Sequence, residues 1–351
     1  MVSGRVLIVR LDNAGDVLLA GPAVRAVAAS VDSVTLLAGP HGTAAARLLP
    51  GVDEVLTWRC PWIDPKPDAV DPAQIDALVE KLRAEAFGRA LVLTSFHQSP
   101  LPTALLLRLA GVGWVGAISD DYPGSLLDLR HRLPDDLPEP ERALSLARAA
   151  GLELPDGDDG RLQVRRPLPD VSDLVPDRPY VVVHPGTSVP ARAWPVERHA
   201  EAVVQLSASG WDVVVTGSAS ETALTAQASA AGGTDLGGRT DLAHLAAVLS
   251  GACAVVAGNT GPAHLAAAVG TPVVSLFAPT VPAIRWAPYG VATELLGDQQ
   301  APCRNTRVTT CTVPGHPCLT SVTAEDVVAA VQRLAGTALV RMRNDELEVA
   351  R

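Results

Sequence analysis

Short apolar runs alternate along the chain with segments of helical spacing. Residues 5–9 (RVLIV) form a β-branched run that predicts a buried strand. The loop Leu11-Asp12-Asn13-Ala14-Gly15-Asp16 follows, and residues 17–29 read as one helix kinked at Pro22. Further strands are predicted over 33–38, 54–57, 90–94 and 114–118, and helices over 43–49, 72–86, 102–110 and 138–151. Residues 165–179 carry four prolines and little periodicity, which marks a boundary. A second series follows, with strands over 180–184, 212–216, 254–257 and 272–277. Its helices are expected over 195–208, 220–231, 242–250, 262–269 and 323–336. The charged tail 341–351 is expected to fray.

Strands that alternate with helices imply parallel sheets covered on both faces. Two such series predict an α/β protein of two Rossmann-like lobes, 1–170 and 171–340, facing a central cleft. In such sheets ligands bind at the carboxyl ends of the strands, so the loops there are the places to look for chemistry.

Composition narrows the class. The 351 residues are 48% apolar and 19% charged, which excludes wholesale disorder. The net charge is −10 and no Lys/Arg-rich run occurs, which argues against a general nucleic-acid binder. Five cysteines in so long a chain do not make a disulfide scaffold. No signal peptide is visible. The longest stretch free of Asp, Glu, Lys and Arg, residues 242–284, is broken by glycine and proline, so no membrane span is expected. The expected location is the cytoplasm.

Three strand-end loops carry the candidate chemistry. Asp16, after Asp12 and Gly15, suits either a general base for a hydroxyl nucleophile or a helix N-cap. His184-Pro185-Gly186-Thr187-Ser188, with Arg192 ahead of Trp194-Pro195, fits phosphate binding or an ordinary capped loop with a surface arginine. In Asn259-Thr260-Gly261-Pro262-Ala263-His264, Thr260 or Gly261 would cap a helix whose first N–H groups attract anions. His264 would donate to a phosphate or sit half-buried as an ordinary helix histidine.

Other motifs lead away from cofactors. Gly111-Val112-Gly113-Trp114-Val115-Gly116 matches the dinucleotide fingerprint, but a helix precedes it and a strand follows, the reverse of what that site needs. Cys303, Cys311 and Cys318 near His316 have zinc-ligand chemistry without a C-x-x-C pair, and read as reduced loop cysteines. Asp156-Gly157-Asp158 reads as a solvated turn. No metal site and no cofactor is expected.

Taken in order, these loops resemble glycosyltransferase family 9, the ADP-heptose heptosyltransferase-like proteins of the GT-B fold. The segment from Val9 to Leu19 is similar to that family's opening strand and Gly-Asp loop. His184 to Thr187 with Arg192 and Trp194-Pro195 is similar to its second-lobe opening, and Asn259 to His264 to its D-[ST]-G-x-x-H motif. The segment from Cys303 to Cys318 and the helix after it are similar to its C-terminal region. The resemblance implies an inverting, metal-independent transfer from a nucleotide-sugar donor, expected to be ADP-heptose. The acceptor would be a glycan, lipid-linked or small molecule. Asp16 would be the base, with Asp12 and Gly15 on the acceptor side. Thr187, Ser188, Arg192, Thr260, Gly261 and His264 would hold the diphosphate. Asn259 would meet the donor sugar, and Glu221 and Thr240 the nucleoside.

Two positions depart from the family pattern. Arg192 replaces the usual lysine before the Trp-Pro pair, and Asn259 replaces the usual aspartate. The alternatives are a transferase or epimerase using a UDP- or GDP-sugar, or a non-enzymatic two-lobed nucleotide or sugar binder. Without a basic amphipathic helix, membrane contact would be peripheral at most. Residues 60–72 and 96–102 are expected acceptor contacts.

Overall fold

The computed structural model describes residues 4–134 and 136–349, with the backbone alone over 337–349. The chain divides into two compact units between Arg165 and Arg166.

The first unit opens with β1 (Arg5–Arg10), α1 (Ala14–Leu19), α2 (Gly21–Ala28), β2 (Ser33–Ala38), α3 (Thr43–Leu48) and β3 (Glu54–Thr57). It continues with α4 (Pro72–Glu85), β4 (Arg89–Val92), α5 (Leu101–Leu109), β5 (Trp114–Ile118), β6 (Leu129–His131) and α6 (Glu139–Ala149). The strands form one parallel sheet in the order β3-β2-β1-β4-β5-β6. β1 is central and is buried from Val6 onward. Such a strand must be apolar on both faces, which is why RVLIV shows no alternation.

The second unit contains β7 (Tyr180–His184), α7 (Val196–Ala208), β8 (Asp212–Gly217), α8 (Thr222–Ser229), β9 (Thr234–Gly237), α9 (Leu242–Ser250) and β10 (Ala254–Gly258). After these come α10 (Gly261–Val269), β11 (Val273–Leu276), α11 (Ala283–Trp286), β12 (Thr293–Leu296), α12 (Pro317–Thr320) and α13 (Ala324–Val349). Its parallel sheet runs β12-β11-β10-β7-β8-β9. Val181, Val183, Val213, Val215 and Val256 face a core shared with Val203 and Leu206 of α7 and Val327 and Val331 of α13.

Several expectations change. The helix expected over 17–29 is two helices, and α1 begins three residues earlier. Pro22 has no N–H to return to residue 18, so the chain breaks at Ala20 and restarts at Gly21. The strands β6, β9 and β12 were not expected. Each is a short, half-exposed edge strand whose hydrogen bonds come from a distant neighbour rather than from an apolar run. The closing helix does not stop at Gly336, and the tail expected to fray is helical as far as Val349; residues 350–351 lie outside the described residues. Asp158 is not a solvated turn residue. Its side chain is 8% exposed and paired with the buried Arg25 of α2, because the turn folds back over that helix.

Candidate functional site

In the second unit the chemistry collects at the carboxyl ends of β7, β8 and β10, where crossovers to both faces leave the strand-end loops open. A pocket of about 370 Å³ lies there. Thr187, Ser188, Glu221, Thr240, Thr260 and Gly261 all line it, together with His184, Gly186, Ser218 and Leu245. Six residues drawn from four separate segments of the sequence therefore meet at one cavity.

Local rules explain each placement. Thr187 Oγ1 accepts from the Val189 N–H at 3.2 Å, which folds the loop after β7 into a tight turn. Ser218 and Glu221 form a capping box: Glu221 Oε2 accepts from the Ser218 N–H and hydroxyl, each at 2.8 Å. Thr260 is the N-cap of α10 and Pro262 stands in the first turn. The Thr260 side chain makes no capping hydrogen bond, Pro262 has no N–H and the Ala263 N–H goes to the Thr260 oxygen at 3.2 Å, so the N–H that this helix end brings to the pocket lining is that of Gly261. Asp241 beside Thr240 caps α9 through the His244 N–H at 2.8 Å.

Arg192, Asn259 and His264 form a second layer that does not line this cavity. Arg192 ends a short 3-10 turn and donates to the Asn259 backbone oxygen at 3.4 Å, which ties the loop after β7 to the end of β10. Asn259 and His264 are each 5% exposed, and Asn259 Oδ1 and His264 Nδ1 have no hydrogen-bond partner. Buried polar atoms left unpaired point to a ligand or a water. Burial, with the Arg192 charge added, lowers His264 to a pKa of about 4. At neutral pH Arg192 is thus the cation of this layer and His264 a neutral donor or acceptor.

Two more histidines are buried neutral close by. His184 shares a hydrogen bond of 2.9 Å with Thr216 Oγ1, and burial lowers it to about 4. His199 stacks edge-on against Trp194, and burial, then His184, lowers it to about 3.

In the first unit Asp16 is not an N-cap. Asn13 holds that position, and Asp16 lies in the first turn of α1. Its Oδ1 meets Arg10 Nη2 at 3.2 Å. Arg10, the last residue of β1, also forms an ion pair with Asp12, Nε lying 3.1 Å from Oδ2 without hydrogen-bond geometry, and its Nη2 donates to Ser95 Oγ at 3.0 Å. Asp12 Oδ1 accepts from Gln98 Nε2 at 2.6 Å, and Gln98 Oε1 accepts from the Ser95 N–H at 2.9 Å. The loop is seated by close backbone approach: a Cβ on Gly39 would stand 2.4 Å from the Leu11 oxygen, and one on Gly42 2.8 Å from that of Asp12. Gly15 is buried in α1.

Sequence reasoning gave Arg10, Ser95 and Ser218 no role of their own, and named His184 and Gln98 only as members of the segments 184–188 and 96–102. A usable signal existed for two of them, since Arg10 and His184 are ionisable residues ending otherwise apolar central strands. In the cysteine loop Cys303 and Cys318 lie side by side, and burial, then Cys303, raises the Cys318 pKa to about 12. Cys303 and Cys318 are buried in the core, Cys311 Sγ donates to the Val313 oxygen, and His316 Nε2 bonds the Ala191 oxygen. Among the described residues no group of three His, Cys, Asp or Glu is placed to hold a metal. Nor is any helix there long and apolar enough to cross a membrane.

Comparison with known proteins agrees with this architecture. Residues 75–316 match glycosyltransferase family 9 (heptosyltransferase). The structure is similar to that of Escherichia coli ADP-heptose LPS heptosyltransferase II, at 20% identity and a TM-score of 0.72 over 95% of this chain and 99% of that one. It is similar to a family 9 glycosyl transferase from Veillonella parvula, at 16% identity and a TM-score of 0.75 over 94% and 97%. It is also similar to E. coli heptosyltransferase WaaC with ADP, at 22% identity and a TM-score of 0.68 over 94% and 99%. No curated protein matches in sequence. The chain belongs to glycosyltransferase family 9 and is a glycosyltransferase of the GT-B fold.

Proposed function

From this membership we propose that the protein transfers a sugar, with inversion and without a metal, from an ADP-activated donor to an acceptor hydroxyl, and that the sugar is heptose. The observation that carries the reading is the convergence of Thr187, Ser188, Glu221, Thr240, Thr260 and Gly261 on one pocket. Its polar loops and helix N-terminus suit a nucleoside diphosphate. The second unit is the donor unit and the first the acceptor unit. Heptosyltransferase WaaC, similar in fold, was determined with ADP.

In the reaction the acceptor oxygen bonds to the anomeric carbon from the face opposite the diphosphate. The bond from that carbon to the phosphate oxygen breaks, and its electron pair leaves with the diphosphate. The Gly261 N–H and dipole at the start of α10, the Thr187 and Ser188 hydroxyls and Arg192 stabilise that charge, and His264 donates as a neutral ring. The acceptor proton goes to Asp16. Glu221 takes the ribose hydroxyls, the backbone near Thr240 meets the base, and Asn259 contacts the donor sugar.

A second reading, a UDP- or GDP-sugar donor, has one observation in its favour. An amide, Asn259, stands where the family pattern has a carboxylate, and its Oδ1 is buried and unpaired. Calorimetric titration with ADP, UDP and GDP in the presence of EDTA tests both. Selective ADP binding, followed by ADP release from ADP-heptose, is expected. Preference for UDP or GDP would overturn the heptose assignment, and binding by none of them would overturn the donor site.

A further inference from the structure

The Arg10 network is larger than a base and its immediate partner. Arg10 is 3% exposed and bridges two carboxylates, of which Asp12 is nearly buried at 9% and Asp16 is accessible at 20%. A ring runs from Arg10 by an ion pair to Asp12, and by hydrogen bonds to Gln98, to Ser95 and back to Arg10. It joins β1, the loop after it and the loop after β4. The charged groups facing this ring are Asp12, Asp16, His97 and Glu139, and Arg142 pairs with Glu139 at 3.8 Å. Burial opposes the Arg10 charge, but Asp12, Asp16 and Glu139 outweigh it and hold its pKa above the ordinary value.

Burial raises the Asp12 pKa above the ordinary carboxylate value and outweighs the Arg10 charge. What Asp12 and Ser95 supply is position: they hold the guanidinium whose Nη2 meets Asp16.

We propose that Arg10, held in place by Ser95 and by Asp12, which Gln98 anchors in turn, is the positioning residue that orients Asp16. The inference rests on the reading of Asp16 as the base, so its test has one readout that needs activity and one that does not. The first is kcat and donor KM for ADP release from ADP-heptose with water as acceptor. The second is a carboxylate carbon-13 titration of Asp12 in aspartate-labelled protein, since Arg10, Asp16 and Gln98 all bear on that carboxyl.

In Arg10→Gln the Asp12 titration is expected to move further up, because the cation that opposes its burial is gone, and kcat is expected to fall with donor KM unchanged. Gln98→Leu, which keeps every charge, is expected to lower kcat with donor KM unchanged. Unchanged kcat in Arg10→Gln and Gln98→Leu, or an Asp12 titration that stays in place in Arg10→Gln, would overturn the proposal. If Arg10→Gln does not fold, Gln98→Leu decides it by its kcat and by the upward move expected of Asp12. Full turnover in Asp16→Asn, with Asp12 still moved by Arg10→Gln, would instead sink the base assignment alone.

Discussion

The Glu221 carboxylate lies directly over the α-carbon of Gly186. A methyl group at Gly186 would stand 2.2 Å from Glu221 Oε1 and 2.4 Å from its carboxyl carbon, so only glycine permits this approach. Gly186 comes from the loop after β7 and Glu221 from the turn after β8, and both line the pocket. Gly186→Ala is therefore expected to push the Glu221 carboxylate aside and to weaken ADP binding about tenfold, a loss of about 1.4 kcal/mol. In a Glu221→Ala background the same substitution is expected to cost far less, because the clash is gone. Calorimetry on the two single variants and the double variant measures the coupling, and strictly additive losses would show that the contact carries nothing.

Asp16→Asn keeps the shape of the residue and removes its basicity. Turnover is expected to fall by about 10²- to 10⁴-fold, the range of a lost general base. ADP affinity is expected to stay within twofold of the parent, because the pocket that carries the donor groups lies in the second unit. Steady-state rates and calorimetry on one preparation check both halves.

Burial, and after it the Arg192 charge, lowers the His264 pKa. Replacing Arg192 by Gln is expected to move the His264 titration upward from about 4, read by proton NMR of the ring. ADP affinity should fall by roughly tenfold or more, since a charge-assisted hydrogen bond is worth about 1.5–3 kcal/mol. An unmoved His264 signal would show that the two side chains do not communicate.

Acid should destabilise the second unit. His184, His199 and His264 are buried neutral with folded pKa values of about 4, 3 and 4, below the ordinary 6.5. Between these limits the unfolded chain binds more protons than the folded one. Their stabilising effect is therefore complete above pH 6.5 and is lost as pH falls toward 4. Three protons give a slope of about 4 kcal/mol per pH unit near pH 5. Urea unfolding at pH 7, 6 and 5 measures it, and His199→Phe, which keeps a ring against Trp194, should remove one proton from the slope.

What the sequence determined by itself was whatever is written within a few residues. Buried central strands are continuous apolar runs, helices carry their spacing and prolines, and a strand-end loop announces itself by Gly, Asp, Thr and Pro. The two parallel sheets were legible from the alternation, and Asp16, Thr187 and Thr260 from their loops. Tertiary structure decided the rest. The edge strands β6, β9 and β12 exist because a neighbouring strand offers them hydrogen bonds, and nothing in their own residues demands it. Arg10 and Gln98 are 88 residues apart in numbering, and only the pairing of β1 with β4 brings their loops onto Asp12. Arg192 and Asn259 likewise meet only because β7 pairs with β10. Local pattern fixes which segments are strands and helices, whereas the order of strands in a sheet fixes which loops become neighbours, and that order is set by packing over the whole unit.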